Sequence, residues 1–227
     1  MSNRVTPNWK NIRLVVFDLD GTLVDSKKDL ALSVNAMRQH MGYTPLPLEL
    51  IASYVGHGVT VLVRRALGDL ANDENVKNGL AFFMTYYRAH MLDNTLPYSG
   101  VMEALGRLGD RKLAVLSNKP TEFSREMLTR LGMARFLSFI YGGDSFAEKK
   151  PDPAGLNKLM ADLVVPPDQT LMVGDSDTDV RTGRNAGIWT CGVTYGFGAP
   201  SLDQVPPDLA ISDLRELPAI LDGQRIG

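Results

Sequence analysis

The fold is decided by the stretch Leu14-Val15-Val16-Phe17-Asp18-Leu19-Asp20-Gly21-Thr22-Leu23-Val24-Asp25-Ser26, in which four apolar residues lead directly into two nearby carboxylates. An uninterrupted apolar run of this kind is typical of a central strand in a parallel sheet that is covered on both faces. In such sheets, ligands bind outside the carboxyl ends of the strands. The sequence therefore predicts that Asp18 and Asp20 lie at a ligand-binding edge.

Asp18 and Asp20 place two negative charges at the end of one strand. At about 4 Å and an effective dielectric near 20, their repulsion is on the order of 4 kcal/mol. A proton or a hard cation would relieve it, and oxygen ligands without a neighbouring His or Cys favour Mg²⁺ over Zn²⁺. Gly21 permits a sharp turn, and the Thr22 hydroxyl can hold it. Taken alone, these residues fit an ordinary turn at the end of a strand equally well.

Two later stretches repeat this design, with apolar residues followed by polar ones at the end of a strand. The first runs from Leu113 to Leu116 and continues into Ser117-Asn118, whose short donors suit the oxygens of a phosphoryl group. The second runs from Leu171 to Val173 and continues into Gly174-Asp175-Ser176-Asp177-Thr178-Asp179. Asp175 is placed to bind a metal ion opposite Asp18, whereas a helix start explains Asp177 sufficiently.

A lysine pair precedes a proline in Lys149-Lys150-Pro151. The proline restricts Lys150 to an extended backbone, and its ammonium could offset negative charge as a point charge. Two solvated loop lysines are the plainer interpretation of this segment. From the residues alone, the sequence does not show which lysine faces the site.

Composition limits the classes of function. The chain has 227 residues, 44% of them hydrophobic, and a formal net charge of -2, so it can bury a sizeable core and has no basic surface for nucleic acid or an anionic membrane. No apolar run is long enough to span a bilayer, and Met1 to Lys10 lacks the apolar centre of a signal peptide. We therefore expect a soluble protein of enzyme size that stays in the cytoplasm. The single cysteine, Cys191, is expected to be a buried small residue.

Hydrophobic spacing predicts an α/β fold. A helix is expected after Lys28, and the roughly 70 residues from there to Pro97 are expected to contain no strand. Further helices are predicted at 48–55, 59–67, 74–90, 101–108, 121–131, 153–163, 177–186 and 214–221, and strands at 112–116, 139–141, 171–173, 189–193 and 209–211. Strands that alternate with helices specify a parallel sheet with helices on both faces.

These stretches, in this order, resemble the motifs of the haloacid dehalogenase superfamily, and among its members they are most similar to phosphoglycolate phosphatases. The resemblance covers nearly the whole chain. It implies a Rossmann-like catalytic core formed by residues 1–25 and 97–227, with an inserted all-helical cap domain at residues 26–96. It also implies a small phosphate monoester as substrate and a monomer or homodimer.

The resemblance assigns roles to the residues of the four motifs. It implies that Asp18 is the nucleophile and that Asp20 is the general acid and base. Phosphate binding is expected from Ser117, Asn118 and, of the two lysines, Lys150. Mg²⁺ would be bound by Asp18, Asp175 and the backbone carbonyl of Asp20. Asp179 would hold a metal-bound water or a neighbouring side chain.

Substrate choice is expected to lie in the cap. Gly56-His57-Gly58 could place backbone amides near a small acidic leaving group, and Arg65 could supply a cation; an exposed turn and an exposed helical face explain these residues equally well. The favoured activity is Mg²⁺-dependent hydrolysis of 2-phosphoglycolate. The alternatives are a phosphatase for sugar phosphates or nucleoside monophosphates, a phosphomutase of the β-phosphoglucomutase kind, and a binding protein that keeps only the fold.

Overall fold

A computed structural model describes residues 7–224 of the chain. The outer limits of the predicted core, residues 1 and 227, and the first part of Met1 to Lys10 lie outside the described residues. The strands are β1 (Leu14–Phe17), β2 (Val24–Asp25), β3 (Leu96–Pro97), β4 (Lys112–Leu116), β5 (Phe139–Tyr141), β6 (Thr170–Gly174), β7 (Trp189–Val193) and β8 (Leu209–Ile211). The α-helices are α1 (Lys27–His40), α2 (Leu48–Ala52), α3 (Val59–Leu67), α4 (Asp73–His90), α5 (Val101–Arg107), α6 (Thr121–Arg130), α7 (Ala154–Leu163), α8 (Asp177–Asn185) and α9 (Glu216–Leu221).

The main sheet has six parallel strands in the order β5-β4-β1-β6-β7-β8. β1 lies between β4 and β6, and Phe17 at its end aligns with Val115 and Val173. The carboxyl ends of these three strands therefore meet at one edge. The predicted central position of β1 is confirmed.

Side chains point alternately to the two faces of the sheet along each strand, and in β1 they are apolar on both faces. Helices therefore cover both faces. Val15 and Phe17 pack in one core cluster with residues of α5, α6 and α9. Leu14 and Val16 pack in a second cluster with residues of α7. The predicted parallel α/β fold is confirmed. Cys191 is buried in β7, also as predicted.

Helices α1 to α4 lie between β2 and β3 and pack against one another. β2 and β3 form a separate antiparallel pair, in which Val24 aligns with Pro97. The expectation that residues 28–97 contain no strand is therefore wrong at β3, and β2, which lies before that range, was not predicted. Each strand has only two residues, which is too short for an alternating pattern to be visible in the sequence.

None of the helices within residues 7–224 combines the length and the apolar character needed to cross a bilayer.

Candidate active site

β1 delivers Asp18 to the edge of the sheet, and a tight turn follows. The Asp18 N–H still donates to the Val173 carbonyl at 2.9 Å, so the residue continues the strand geometry. Gly21 has a φ of +87°, a conformation that glycine adopts without strain. A Cβ on Gly21 would lie 2.2 Å from Asp175 Oδ2, so only glycine lets the turn approach this carboxylate.

The end of β6 and the first turn of α8 deliver two further carboxylates to the same place. Oxygen atoms of Asp18, Asp175 and Asp179 lie within 4.8 Å of one another, and all three residues are buried. Asp179 caps the start of α8, because its Oδ2 accepts hydrogen bonds from the Ser176 N–H at 3.1 Å and the Ser176 hydroxyl at 2.7 Å. Asp175 Oδ2 accepts from the Gly198 N–H at 2.7 Å. The predicted meeting of Asp18 and Asp175 is present.

Lys150, and not Lys149, joins this cluster. Its ammonium lies 2.8 Å from Asp18 Oδ1 and 2.6 Å from Asp179 Oδ1, whereas Lys149 is exposed. Burial alone would lower the pKa of Lys150, but Asp179 and Asp18 outweigh it and raise that pKa above its usual value. The lysine is therefore charged at neutral pH.

The carboxylates carry more charge than the ammonium groups neutralise. Burial raises the pKa of Asp18 to about 6 despite Lys150, and burial together with Asp179 and Asp18 raises the pKa of Asp175 well above 3.8. With Asp20, four carboxylates face two ammonium groups, those of Lys150 and Lys119. One divalent cation would balance this excess of two negative charges.

The free lone pairs are also suited to such an ion. Asp18 Oδ1 is buried, and its contact with Lys150 lacks hydrogen-bond geometry. Both oxygens of Asp179 are occupied by Lys150 and Ser176, so Asp18 and Asp175 are the better ligands. A donor set made only of oxygen fits Mg²⁺.

β4 places Ser117 and Asn118 at the same edge, and both are buried. Ser117 lines the cavity above Asp18. The Asn118 amide donates to the carbonyls of Gly56 at 2.8 Å and Lys150 at 3.0 Å, and its Oδ1 accepts from the Lys150 N–H at 2.9 Å. The Asn118 side chain therefore connects three loops and is not free for a phosphate.

Lys119 was not predicted as a site residue. Its ammonium lies 2.9 and 3.0 Å from the two oxygens of Asp20 and 2.7 Å from the Tyr87 hydroxyl. Burial raises the pKa of Tyr87 to about 12, so this hydroxyl keeps its proton at neutral pH. Lys119 stands two positions after Ser117 in the second motif, and this was the only signal in the sequence. Its contact with Asp20, 99 positions away, could not be read from it.

The residues predicted for the cap separate into two groups. Gly56, His57 and Gly58 line the same cavity as Asp18 and Ser117. Arg65 does not line it; its exposed guanidinium lies 3.5 Å from the Tyr54 carbonyl. The expected contact between Arg65 and a substrate is therefore not supported, because the side chain lies on the outer surface of α3.

Comparison with known proteins agrees with this geometry. A family model described as haloacid dehalogenase-like hydrolase matches residues 15–193. The chain belongs to this hydrolase family. It is 41% identical over 215 residues to a phosphoglycolate phosphatase of Pseudomonas putida, covering 90% of this chain and 78% of that protein. It is 40% identical to a phosphoglycolate phosphatase of Chromobacterium violaceum, covering 92% and 96%.

The fold of this hydrolase is also shared with solved structures. A crystal structure described as a predicted phosphoglycolate phosphatase from Haemophilus somnus superimposes with a TM-score of 0.89 at 32% identity. The match covers 92% of this chain and 98% of that one. The similarity therefore includes the helices between β2 and β3 as well as the sheet.

Proposed function

We propose that the protein is a phosphatase that hydrolyses 2-phosphoglycolate to glycolate and phosphate through an aspartyl-phosphate on Asp18. The observation that supports this most is the meeting of Asp18, Asp175 and Lys150 at the strand ends, next to Ser117 and below a cavity of about 330 Å³. The relatives named phosphoglycolate phosphatase support the choice of substrate.

The residues of the chain suit the two steps of such a reaction. An Asp18 oxygen attacks phosphorus while the bond from phosphorus to the alcohol oxygen breaks, and Asp20 gives a proton to that oxygen. Asp20 then takes a proton from the water that attacks the aspartyl-phosphate. Ser117 and the Asn118 backbone N–H bind the phosphate oxygens, and Lys150 offsets their charge.

Asp18, Asp175 and the Asp20 backbone carbonyl would hold Mg²⁺, which supplies positive charge that reduces repulsion between the phosphate and the carboxylates. Asp179 positions Lys150 and takes no part in this set. We also propose that β2 and β3 mark the boundary between a core and a cap at residues 26–96. The cytoplasmic location and the monomeric or dimeric state remain predictions.

The test is phosphate release from 2-phosphoglycolate with and without Mg²⁺. We expect Asp18→Asn to reduce kcat at least about 1,000-fold, because the nucleophile is lost. Asp69→Asn, at an exposed position, should keep wild-type activity. Full activity of the Asp18 variant, or activity that does not depend on Mg²⁺, would contradict the proposal.

The covalent intermediate can be tested separately. An aryl phosphate needs little help from an acid when its alcohol leaves, so Asp20→Asn should still be phosphorylated by p-nitrophenyl phosphate. It should then accumulate the aspartyl-phosphate, because no base activates the water. Mass spectrometry of the quenched protein should show one added phosphoryl group on Asp18. A phosphomutase would instead require a bisphosphate for turnover.

A further inference from the structure

The cavity above the phosphate site has two different parts. Its floor contains the carboxylates and lysines described above. Its upper wall is mostly apolar and includes Leu30, Val55, Val59, Leu62, Phe83 and Phe123. A charged group on the alcohol side of a substrate would lose its hydration there unless a side chain of opposite charge met it.

Among the described residues that line the cavity, only two are lysines or arginines, namely Lys150 and Lys119. Lys150 is held between Asp18 and Asp179 and faces the phosphate position. Arg65 lies outside the cavity. His57 is the other basic side chain of the lining, and Lys119 is therefore the lysine that a leaving group can meet.

The distances place Lys119 beside the leaving oxygen. Its Nζ lies 2.9 Å from Asp20 Oδ1, and a general acid must come within about 3 Å of the oxygen that it protonates. When a carboxylate stands on the carbon next to the ester oxygen, two bonds of about 1.5 Å separate that oxygen from the carboxylate carbon. The carboxylate is then within reach of the ammonium.

The hydrogen bonds of Lys119 leave it no spare donor. An ammonium has three N–H groups, and here they reach both oxygens of Asp20 and the Tyr87 hydroxyl. Lys119 is buried, so a donor that loses its partner must find another one. Both oxygens of Asp20 accept from Lys119, and Oδ1 also accepts from the Ser26 hydroxyl, so these contacts turn the carboxylate toward the protein and away from a leaving oxygen.

We propose that Lys119 recognises a carboxylate on the carbon next to the ester oxygen, and that this carboxylate replaces Asp20 on the ammonium. The inference rests on the proposed function and specifies its substrate class as phosphate esters of 2-hydroxy acids. Asp20, once displaced, is free to turn toward the leaving oxygen. An uncharged alcohol would leave the ion pair between Asp20 and Lys119 closed, and its ester would react slowly.

Two substrates and one substitution test this. Lys119→Met keeps a long apolar side chain and removes the charge. We expect it to lower kcat/KM for 2-phosphoglycolate about 10- to 100-fold, the cost of a hydrogen bond to a charged group. For 2-hydroxyethyl phosphate, which has an alcohol in place of the carboxylate, kcat/KM should stay unchanged or rise. Lys77→Met, on the exposed face of α4, is the matched control and should behave as wild type.

An equal loss on both substrates would overturn the proposal, because Lys119 would then act only by positioning Asp20. No loss on 2-phosphoglycolate would overturn it as well. If Lys119→Met does not fold, Lys119→Gln gives the same comparison, since its amide can still donate to Asp20 but carries no charge.

A binding measurement separates recognition from chemistry. In the Asp18→Asn background, calorimetry with 2-phosphoglycolate should show affinity about 10- to 100-fold weaker when Lys119→Met is added. Equal affinities would overturn the proposal. Failure of the proposed function looks different, because the wild-type protein would then release no phosphate from 2-phosphoglycolate or from p-nitrophenyl phosphate.

Discussion

Gly21 shows how one residue without a side chain fixes the distance between two parts of the site. Its φ of +87° disfavours residues that have a side chain, and a Cβ at this position would lie only 2.2 Å from Asp175 Oδ2, which is a steric overlap. Any other residue would strain the turn and push this carboxylate away from Asp18. The glycine is thus as much a part of the site's geometry as the carboxylates are.

We predict that Gly21→Ala lowers kcat about 100-fold or more, because displacement of a catalytic group by about 1 Å can have this effect. Gly42→Ala is the matched control, since Gly42 has a φ of +80° but no atom within 4 Å of the position that a Cβ would take. It should cost about 1 kcal/mol of stability from backbone strain and leave kcat unchanged. Phosphate release and thermal unfolding measure the two effects. Equal kcat values in the two variants would contradict the argument.

The residues that face the site were found in the sequence because each follows an apolar strand. This placed Asp18, Ser117 and Asp175 at one edge without any knowledge of the connections. Lys119 and Arg65 show the limit of this reasoning. Which way a side chain points from a loop or a helix depends on contacts with distant residues, here Asp20 and Tyr54 respectively.

At the scale of elements, Asn118 connects the end of β4 to two other loops. Its three hydrogen bonds join the Gly56 carbonyl in the helical segment and the backbone of Lys150. The position of the Lys150 ammonium beside Asp18 therefore depends on a side chain that need not touch the substrate.

We predict that Asn118→Ala lowers kcat about 10- to 100-fold, because Lys150 is less well held near Asp18. Asn35 offers a control with the same chemistry, since its side chain exchanges two hydrogen bonds with the Leu46 backbone outside the cavity. Asn35→Ala should lose a comparable 1 to 3 kcal/mol or so of stability without a change in kcat. If both variants lost activity equally, the effect would reflect stability alone.

Asp29 connects α1 to the segment that enters β3. It is buried, and it accepts hydrogen bonds of 2.7 to 3.1 Å from four donor groups, two on Asn94 and two on Thr95. Burial would raise the pKa of Asp29, but these bonds outweigh it and hold the pKa below 3.8. The carboxylate thus stabilises the junction between the helices and the sheet.

We predict that Asp29→Asn destabilises the protein by about 2 to 4 kcal/mol at pH 7, because charge-assisted bonds are lost in a buried place. Since the folded pKa is the lower one, this stabilisation is complete above pH 3.8 and disappears as the pH falls through the folded pKa. The difference in Tm between wild type and variant should therefore shrink in strong acid. Asp144→Asn, at an exposed acceptor for the Thr121 N–H, should cost much less. A difference that did not change with pH would contradict the assignment.

The longer elements were predicted well because periodicity needs several residues to be visible. β4, β5, β7 and β8 have the predicted limits, and α3 does as well. β2 and β3 were missed because each has two residues and their pairing joins positions about 70 residues apart. Such pairs depend on tertiary contacts and leave no local pattern.

At the scale of the whole molecule, the fold holds buried acidic groups close together, and this costs electrostatic free energy. The strands that carry Asp18 and Asp175 are fixed by the core on both faces of the sheet, so the carboxylates cannot move apart freely. The pKa of Asp18 is raised to about 6, chiefly by burial. The folded pKa is the higher one. Between about pH 4 and 6, the folded protein without metal therefore still holds a proton that the unfolded chain has already released. Without metal, this contribution makes stability fall as the pH rises through that range.

We therefore predict that Mg²⁺ stabilises the protein more at pH 7.5 than at pH 5, because at the lower pH the ion must displace a proton from Asp18. At a concentration about 100 times its Kd, the ion should add about 2.7 kcal/mol of stability. For a chain of this size, that should raise Tm by roughly 5 to 10 °C. Thermal unfolding at both pH values, with Mg²⁺ and with a chelator, measures the difference. Asp175→Asn should reduce the shift strongly, whereas Asp69→Asn should keep it, since only the former removes a proposed ligand. A shift that was equal at both pH values, or that survived in the Asp175 variant, would place the ion elsewhere.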